Sequence, residues 1–173
     1  MKILVAYFSQ TGNTEQIAKA ILEEISGSND ADLSKIEGVD ASSLDGYDLI
    51  FVGTAIHAGG LAAPAKDFLA ALPNEPKYSL AGFVTHASDV YSKENYEKAI
   101  AGIGDICSEK KINYLGCFDC RGRLAPAIQP MVQKARKMSD DEWAKLMEDT
   151  DKHPNADDEL KAKEFAKEVL SKI

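Results

Sequence analysis

The amino-acid sequence predicts one α/β domain, in which a doubly wound parallel sheet of five strands lies between two layers of helices. Short apolar runs alternate along the chain with segments of helical periodicity, as expected for strands joined by helical crossovers. The runs are almost continuously apolar, which is typical of parallel strands covered on both faces. The chain has 173 residues, a length typical of a single domain, and we expect residues 1–173 to form one.

The first half of the chain contains three predicted strands and two predicted helices. Apolar residues recur on one face of the first helix, and proline is favoured in the first turn of the second. In order, these elements are the strand Ile3–Phe8, a helix from about Asn13 to Ile25, a short polar edge strand near Asp32–Ile36, the strand Leu49–Val52 extended through Gly53 and Thr54, and the helix Pro64–Leu72.

The second half contains two more strands, and a charged segment at about residues 121–155 separates them from the last helix. Leu80–Thr85 and Ile112–Phe118 are the predicted strands, and Ser92 is the expected cap of the helix between them. Ser139 and Glu142 have the spacing of a capping box that opens a short helix. The inner faces of the two remaining helices are expected at Tyr96, Ile100, Ile103 and Cys107, and, for the helix from about Ala156 to Ile173, at Leu160, Phe165, Ala166, Val169 and Leu170.

The segment Ser9–Thr14, with the sequence Ser-Gln-Thr-Gly-Asn-Thr, lies between the first strand and the first helix. The amino terminus of a helix leaves backbone N–H groups unpaired, and the helix dipole there favours negative charge. Hydroxyl groups of Ser9, Thr11 and Thr14 add possible donors. The segment has no lysine or arginine and matches neither the P-loop nor the glycine-rich dinucleotide pattern. We interpret it as a site for a phosphate monoester held by neutral donors; the alternative is an ordinary helix cap.

This segment resembles the FMN phosphate loop of the flavodoxins, whose pattern is Ser/Thr-x-Thr-Gly-x-Thr. The specified positions hold Ser9, Thr11, Gly12 and Thr14, and the variable positions hold Gln10 and Asn13. The resemblance covers residues 1–118 and, less closely, the last helix. It implies a flavodoxin-like, three-layer, doubly wound sheet of five parallel strands in the order 2-1-3-4-5, with non-covalently bound FMN outside the carboxyl ends of strands one and three.

The resemblance also implies that two further loops contact the flavin. The loop after strand three contributes Thr54, Ala55, Ile56, His57, Ala58, Gly59 and Gly60, and the loop after strand four contributes Ala87, Ser88, Asp89 and Tyr91. Gly59-Gly60 is the expected site of the peptide flip beside flavin N5 with which the family stabilises one redox state of the ring.

The aromatic residues of these loops leave alternatives open. Tyr91 resembles the tyrosine that covers the outer face of the flavin, with Phe118 as a second candidate, although Tyr91 can also simply pack on the following helix. Many family members stack an aromatic residue on the flavin from the loop after strand three, where this chain has His57. A solvent-facing histidine is the alternative there, and a flexible turn is the alternative for Gly59-Gly60.

Cys117 and Cys120 form a C-x-x-C pair in the last predicted strand. A redox-active pair requires its first cysteine at a helix amino terminus, whereas strand geometry points these two side chains to different faces. Zinc needs four ligands, and the remaining candidates have no ligand-like spacing: Cys107, His57, His86 and His153. We expect a structural pair and no metal site. The odd number of cysteines, three, favours a reducing cytoplasm over a disulfide framework.

The net charge of −8 is unevenly distributed along the chain. Residues 121–137 carry five basic side chains and no acidic one, whereas residues 139–160 carry nine acidic side chains and two lysines. An acidic surface repels nucleic acid and anionic membranes, so we exclude both as partners, and it favours encounter with basic redox proteins. The alternative for the charged run is a solvated face. The chain has no membrane-length apolar stretch and no signal-peptide pattern, so we expect a cytoplasmic protein. We make no prediction of its oligomeric state.

The resemblance, together with these observations, implies an FMN-binding flavodoxin that acts as a low-potential electron carrier between redox proteins, a reductase and an acceptor. No side chain is assigned as acid, base or nucleophile, because the cofactor performs the redox chemistry. The alternative is an FMN-dependent NAD(P)H:quinone or related oxidoreductase of the same fold, in which segment 121–155 either forms or blocks a substrate pocket. A response-regulator receiver, a signalling module with the same strand order, needs acidic residues after strands one and three. This chain has Ser9 and Thr54-Ala55 there, so we exclude that class of protein.

Overall fold

The computed structural model of the protein describes residues 1–87 and 93–173. Its strands are β1 (Lys2–Tyr7), β2 (Asp30–Lys35), β3 (Leu49–His57), β4 (Gly60–Leu61), β5 (Ser79–His86) and β6 (Asn113–Arg121). Its helices are α1 (Asn13–Ile25), α2 (Ala63–Ala71), α3 (Lys93–Glu109), α4 (Gln129–Arg136), α5 (Asp140–Thr150) and α6 (Ala156–Leu170). Short 3₁₀ turns follow β2 and precede α4.

Within this part of the chain, five parallel strands form one sheet in the order β2-β1-β3-β5-β6. The predicted strand order is therefore confirmed, with β5 and β6 as the fourth and fifth parallel strands. One face of the sheet packs against α2 and α3, and the other face packs against α1 and α6. Side chains of β1, β3 and β5 are buried on both faces, which explains their continuous apolar runs.

Two strands extend further than the sequence predicts, and both extensions shape the functional region. The strand β3 reaches His57 because its last residues pair antiparallel with β4. The strand β6 reaches Arg121 because it continues to pair with β5 as far as His86. Each strand therefore carries its final residues beyond the buried centre of the sheet, to the edge where parallel strands end.

The helix α6 differs from the prediction in which face it buries. Leu160, expected on the inner face, is exposed, whereas Ala162, Ala166 and Val169 are fully buried. Leu160 lies two residues before Ala162, which places it on nearly the opposite side of a helix. No helix in the described ranges combines the length and apolarity needed to cross a membrane.

The charged segment folds over the end of the sheet around a small core of its own. Leu124, Val132, Trp143 and Met147 form this core, and Ala87 packs against it from the end of β5. The predicted capping box is confirmed, because Ser139 and Glu142 bond each other's backbone N–H group at the start of α5. Several acidic side chains of residues 139–160 are used in contacts within the chain: Asp140 with Gln133, Asp149 with Arg121, Asp157 with Lys161, Asp158 with His153 and Glu159 with Gln16.

Candidate functional site

A cavity of about 310 Å³ lies at the carboxyl ends of β1, β3 and β5, where a doubly wound sheet binds its ligands. One side, which we call the loop wall, consists of lining residues from 9–14 and 55–58. The opposite side, the segment wall, consists of residues 122–125 with Ile128 and Met131. Thr85, His86 and Ala87 line the cavity between the two walls.

Most of the predicted site residues in the described ranges lie at this cavity. Those that line it are Ser9–Thr11, Asn13, Thr14, Ala55–Ala58 and Ala87. Thr54 does not, because β3 continues past it and buries it fully within the sheet. Gly12, Gly59 and Gly60 also do not line it. Ser88, Asp89 and Tyr91 lie outside the described residues. The binding roles of all these residues stay predictions.

The phosphate-loop candidate is shaped by its own side chains. Gly12, with φ +85°, adopts the left-handed conformation that glycine tolerates, and its N–H donates to Ser9 Oγ at 3.1 Å. The Gly12 carbonyl accepts from Gln16 N–H at 3.0 Å, which starts α1. Thr14 Oγ1 lies 2.9 Å from Thr85 Oγ1 in a buried contact, so this hydroxyl also links α1 to β5. Thr11 is exposed at the cavity.

A reciprocal contact joins the loop wall to the segment wall. Asn13 Nδ2 donates to the Arg123 carbonyl at 2.8 Å, and Arg123 Nε donates to Asn13 Oδ1 at 3.1 Å. The contact needs glycine at position 122, since an added Cβ would lie 2.9 Å from Asn13 Nδ2. Arg123 therefore reaches a site expected to contain only neutral donors, because β6 returns the chain to the start of α1. Whether a phosphate is held by neutral donors alone stays a prediction.

The loop after β3 is a tight hairpin. Ala58 (φ +50°) and Gly59 (φ +81°) form its two-residue turn, and positive φ at both positions is the conformation of a type I′ turn. Gly60 has already entered β4, so the positive φ values lie one residue earlier than the glycine pair. The ring of His57 packs edge-on against Phe8, with centroids 5.9 Å apart, and desolvation lowers the pKa of His57. The peptide flip at this turn stays a prediction.

His86 ends β5 and is almost fully buried beside the cavity. Its Nε2 lies 2.9 Å from Asp119 Oδ2, and its ring stacks on Tyr96 with centroids 4.1 Å apart. A carboxylate accepts, so this contact favours a proton on Nε2 and leaves Nδ1 as the acceptor nitrogen. Nδ1 is buried and has no hydrogen-bond partner among the described residues.

The cysteines of the C-x-x-C pair lie on opposite faces of β6. Cys117 packs with the core beneath α2 and α3, whereas Cys120 belongs to the core beneath α1 and α6. Burial raises the pKa of Cys117 to about 12 and also raises that of Cys120. Burial likewise raises the pKa of Cys107, to about 11. A protonated thiol is a poor nucleophile and metal ligand, so the structure supports the structural interpretation of this pair.

Sequence reasoning predicted no individual residue of the segment wall as a binding residue, and it also left out Thr85 and His86. The signal that existed was positional, since Gly122 and Arg123 directly follow a strand that ends at the ligand-binding edge. Strand β6 was predicted to end at Phe118, three residues too early, so these residues fell in an unassigned segment. The approach of Arg123 to Asn13 joins residues 110 positions apart, which no local pattern indicates.

Comparison with known proteins agrees with this architecture. A family model described as a flavodoxin domain matches residues 4–167. An uncharacterised protein of Methanocaldococcus jannaschii is 31% identical over 98% of this chain and 99% of its own length. The flavodoxin-like domain-containing protein BilS of Clostridioides difficile is 29% identical over 99% of this chain and 98% of its own length.

A solved structure extends the likeness to the fold. Oxidised flavodoxin 1 of Bacillus cereus superposes with a TM-score of 0.72 at 20% identity, covering 100% of this chain and 99% of its own. At this identity the likeness concerns the fold alone, whereas the family match spans nearly the whole sequence. The chain therefore belongs to the flavodoxin family.

Proposed function

We propose that this protein binds FMN non-covalently and acts as a low-potential electron carrier between a reductase and an acceptor protein. The observation that carries the proposal is the cavity itself. It joins a hydroxyl-bearing loop and a helix amino terminus to apolar surface at the ligand-binding edge of the sheet. A phosphorylated and largely apolar ring system needs both features in one site.

The residues present fit FMN chemically. The first backbone N–H groups of α1 have no partner inside the helix, and Thr11 adds a hydroxyl at the cavity. Ile56, Leu124 and Met131 line the cavity and supply apolar contact for a ring. The buried Nδ1 of His86 is a polar atom beside the cavity that lacks a protein partner in the described chain.

The roles of the protein in this proposal are binding, shielding and orientation. FMN, when bound, supplies the electron-transfer chemistry. Residues of the loop wall hold the phosphate, and the apolar residues of the two walls keep water from the ring. In residues 1–87 and 93–173 we assign no side chain a proton-transfer step, and the thiols are disfavoured as redox groups by their burial.

The size of the cavity favours the carrier over the oxidoreductase. A volume of about 310 Å³ is at the lower end of the range of small-molecule sites. An enzyme that oxidises NAD(P)H must also accommodate a nicotinamide over the flavin. Ile128 and Met131 of the segment wall line the cavity, so the charged segment bounds it.

Two measurements test the proposal in sequence. The purified protein is expected to be yellow, or to become yellow on addition of FMN, and to bind riboflavin much more weakly than FMN. NAD(P)H alone is then expected to leave the colour unchanged, because a carrier needs a separate reductase. Equal binding of riboflavin and FMN contradicts the phosphate site. Rapid bleaching by NAD(P)H contradicts the carrier and supports the oxidoreductase.

A further inference from the structure

The side chain of Arg123 is held in a defined orientation at the cavity although its residue is exposed. Its Nε is bonded to Asn13 Oδ1, and its own carbonyl accepts from Asn13 Nδ2, so one amide side chain fixes both the guanidinium and the backbone. Gly122 allows this close approach, and its N–H donates to the His86 carbonyl at 2.9 Å. The rotamer entropy that a mobile surface arginine would lose on binding an anion is therefore already partly lost.

Arg123 is also unusual in its charge. Apart from the histidines, it is the one ionisable side chain among the described residues that line the cavity, in a protein with a net charge of −8. No carboxylate of residues 1–87 or 93–173 forms an ion pair with it. With Nε committed to Asn13, the two terminal nitrogens of the guanidinium keep donors for another acceptor.

An anion at the start of α1 is the ligand that this arrangement suits. Asn13 is the first residue of α1, so the guanidinium bonded to its side chain lies at the end of the helix whose first N–H groups have no partner within the helix. A guanidinium presents a planar fork of donors that matches phosphate oxygens, and such charge-assisted bonds are stronger than neutral ones.

We propose that Arg123 is a phosphate-binding residue that gives this site its selectivity for a phosphorylated flavin, and that Asn13 positions it. This inference rests on the proposed function. In place of a phosphate site made only of neutral donors, we expect a site in which one cation from the segment wall adds to the neutral donors of the loop wall. The ligand group is a phosphate monoester in its dianionic form, which predominates above a pH of about 6.

The test is a comparison of FMN and riboflavin binding, measured by quenching of flavin fluorescence. Arg123→Met is expected to lower FMN affinity about 10- to 100-fold, the cost of one charge-assisted contact, and to leave riboflavin affinity unchanged. The FMN affinity of Arg123→Lys is expected to lie between those of the wild type and Arg123→Met, because lysine keeps the charge without the planar fork of donors. The rise in FMN affinity between about pH 5 and pH 7 should be shallower in Arg123→Met than in the wild type.

Two controls separate this role from a general effect of charge or packing. Lys134→Met makes the same change of charge in α4 at a residue that does not line the cavity, and should leave both affinities unchanged. Asn13→Ala should weaken FMN binding in the wild-type background and have no further effect on the ratio of FMN to riboflavin affinity in Arg123→Met. This non-additivity is the signature of a positioning residue.

The outcomes test the role of Arg123 separately from FMN binding by the protein. If the wild type prefers FMN and Arg123→Met keeps the full preference, or loses affinity for both flavins equally, the role of Arg123 is overturned while FMN binding stands. If the wild type itself does not discriminate between FMN and riboflavin, the proposed function is overturned.

Discussion

The loop wall of the cavity is formed by residues at the ends of two strands of the main sheet, whereas the segment wall packs around a small core of its own. Residues 9–14 follow β1 and residues 55–58 include the last residues of β3, and the central side chains of both strands are buried between two helical layers. The segment wall depends on four buried side chains, one of which is Trp143, and on the contact between Asn13 and Arg123. We infer that the loop wall shares the stability of the whole fold, whereas the stability of the segment wall changes separately.

Truncation of the small core should destabilise the segment wall and leave the loop wall intact, and this is the largest effect that we expect. Trp143→Ala should cost about 3–5 kcal/mol within the small core, as truncation of a buried aromatic residue does. Amide hydrogen exchange in α4 and α5 should accelerate, and FMN should bind more weakly, while β1 and β3 keep their protection. Phe51→Ala, in the core of the sheet, is the matched control and should reduce protection throughout the chain. Equal loss of protection in both variants means that the two walls unfold as one unit.

A second prediction separates stability from binding within the loop wall. Thr14→Val leaves the buried hydroxyl of Thr85 without its partner, so it should lower the free energy of unfolding by about 1–3 kcal/mol. Thr11→Val removes an exposed hydroxyl, so it should hardly change stability and should weaken FMN binding by about 1.5–3 kcal/mol. Chemical denaturation and FMN titration of both variants measure the two quantities.

The double variant Thr14→Val with Thr85→Val is the control for this prediction. It replaces both partners by apolar groups of the same shape and should recover most of the lost stability. If Thr14→Val is as stable as the wild type, the contact between the two hydroxyls does not link α1 to β5. If Thr11→Val binds FMN normally, the phosphate is held without that hydroxyl.

The smallest expected effect concerns the hairpin of the loop wall. Ala58 has a φ of +50°, a left-handed conformation that costs an alanine about 1 kcal/mol, so Ala58→Gly should stabilise the protein by up to that amount. Gly59→Ala, at φ +81°, should destabilise it by a similar amount. Thermal unfolding should show opposite shifts of a few degrees for the two variants. Shifts of the same sign contradict a turn with positive φ at both positions.

The loop wall could be predicted from local sequence patterns, whereas most of the segment wall could not. The strand order, α1 and the position of Ser9–Thr14 follow from local apolar periodicity and a short motif, so they were predictable. The end of β6 was not, because its last residues, such as Asp119 and Arg121, are polar and are held by pairing with β5. Leu160 was assigned to the wrong face of α6 because an apolar side chain does not by itself reveal its rotation around the helix axis.

Residues that act across long separations were the main omission at the site. Arg123 is one of five basic side chains in a charged stretch, and its position shortly after the last strand does not by itself show that its side chain reaches Asn13. Only the contact with Asn13, made possible by Gly122, brings it to the cavity. Asn13 itself was predicted as a binding residue from its place in the motif, yet both polar atoms of its side chain are bonded to Arg123.

If both walls of the cavity contact the same flavin, an NMR titration of the ¹⁵N-labelled protein with FMN will show it. We predict that amide signals of residues 9–14 and of residues 122–131 shift together, with the same dependence on FMN concentration. Riboflavin at equal occupancy should shift Leu124 and Ile128 but should leave Thr11 and Arg123 less affected. If FMN shifts the loop wall and leaves residues 122–131 unchanged, the segment wall is only a cover and the account is wrong.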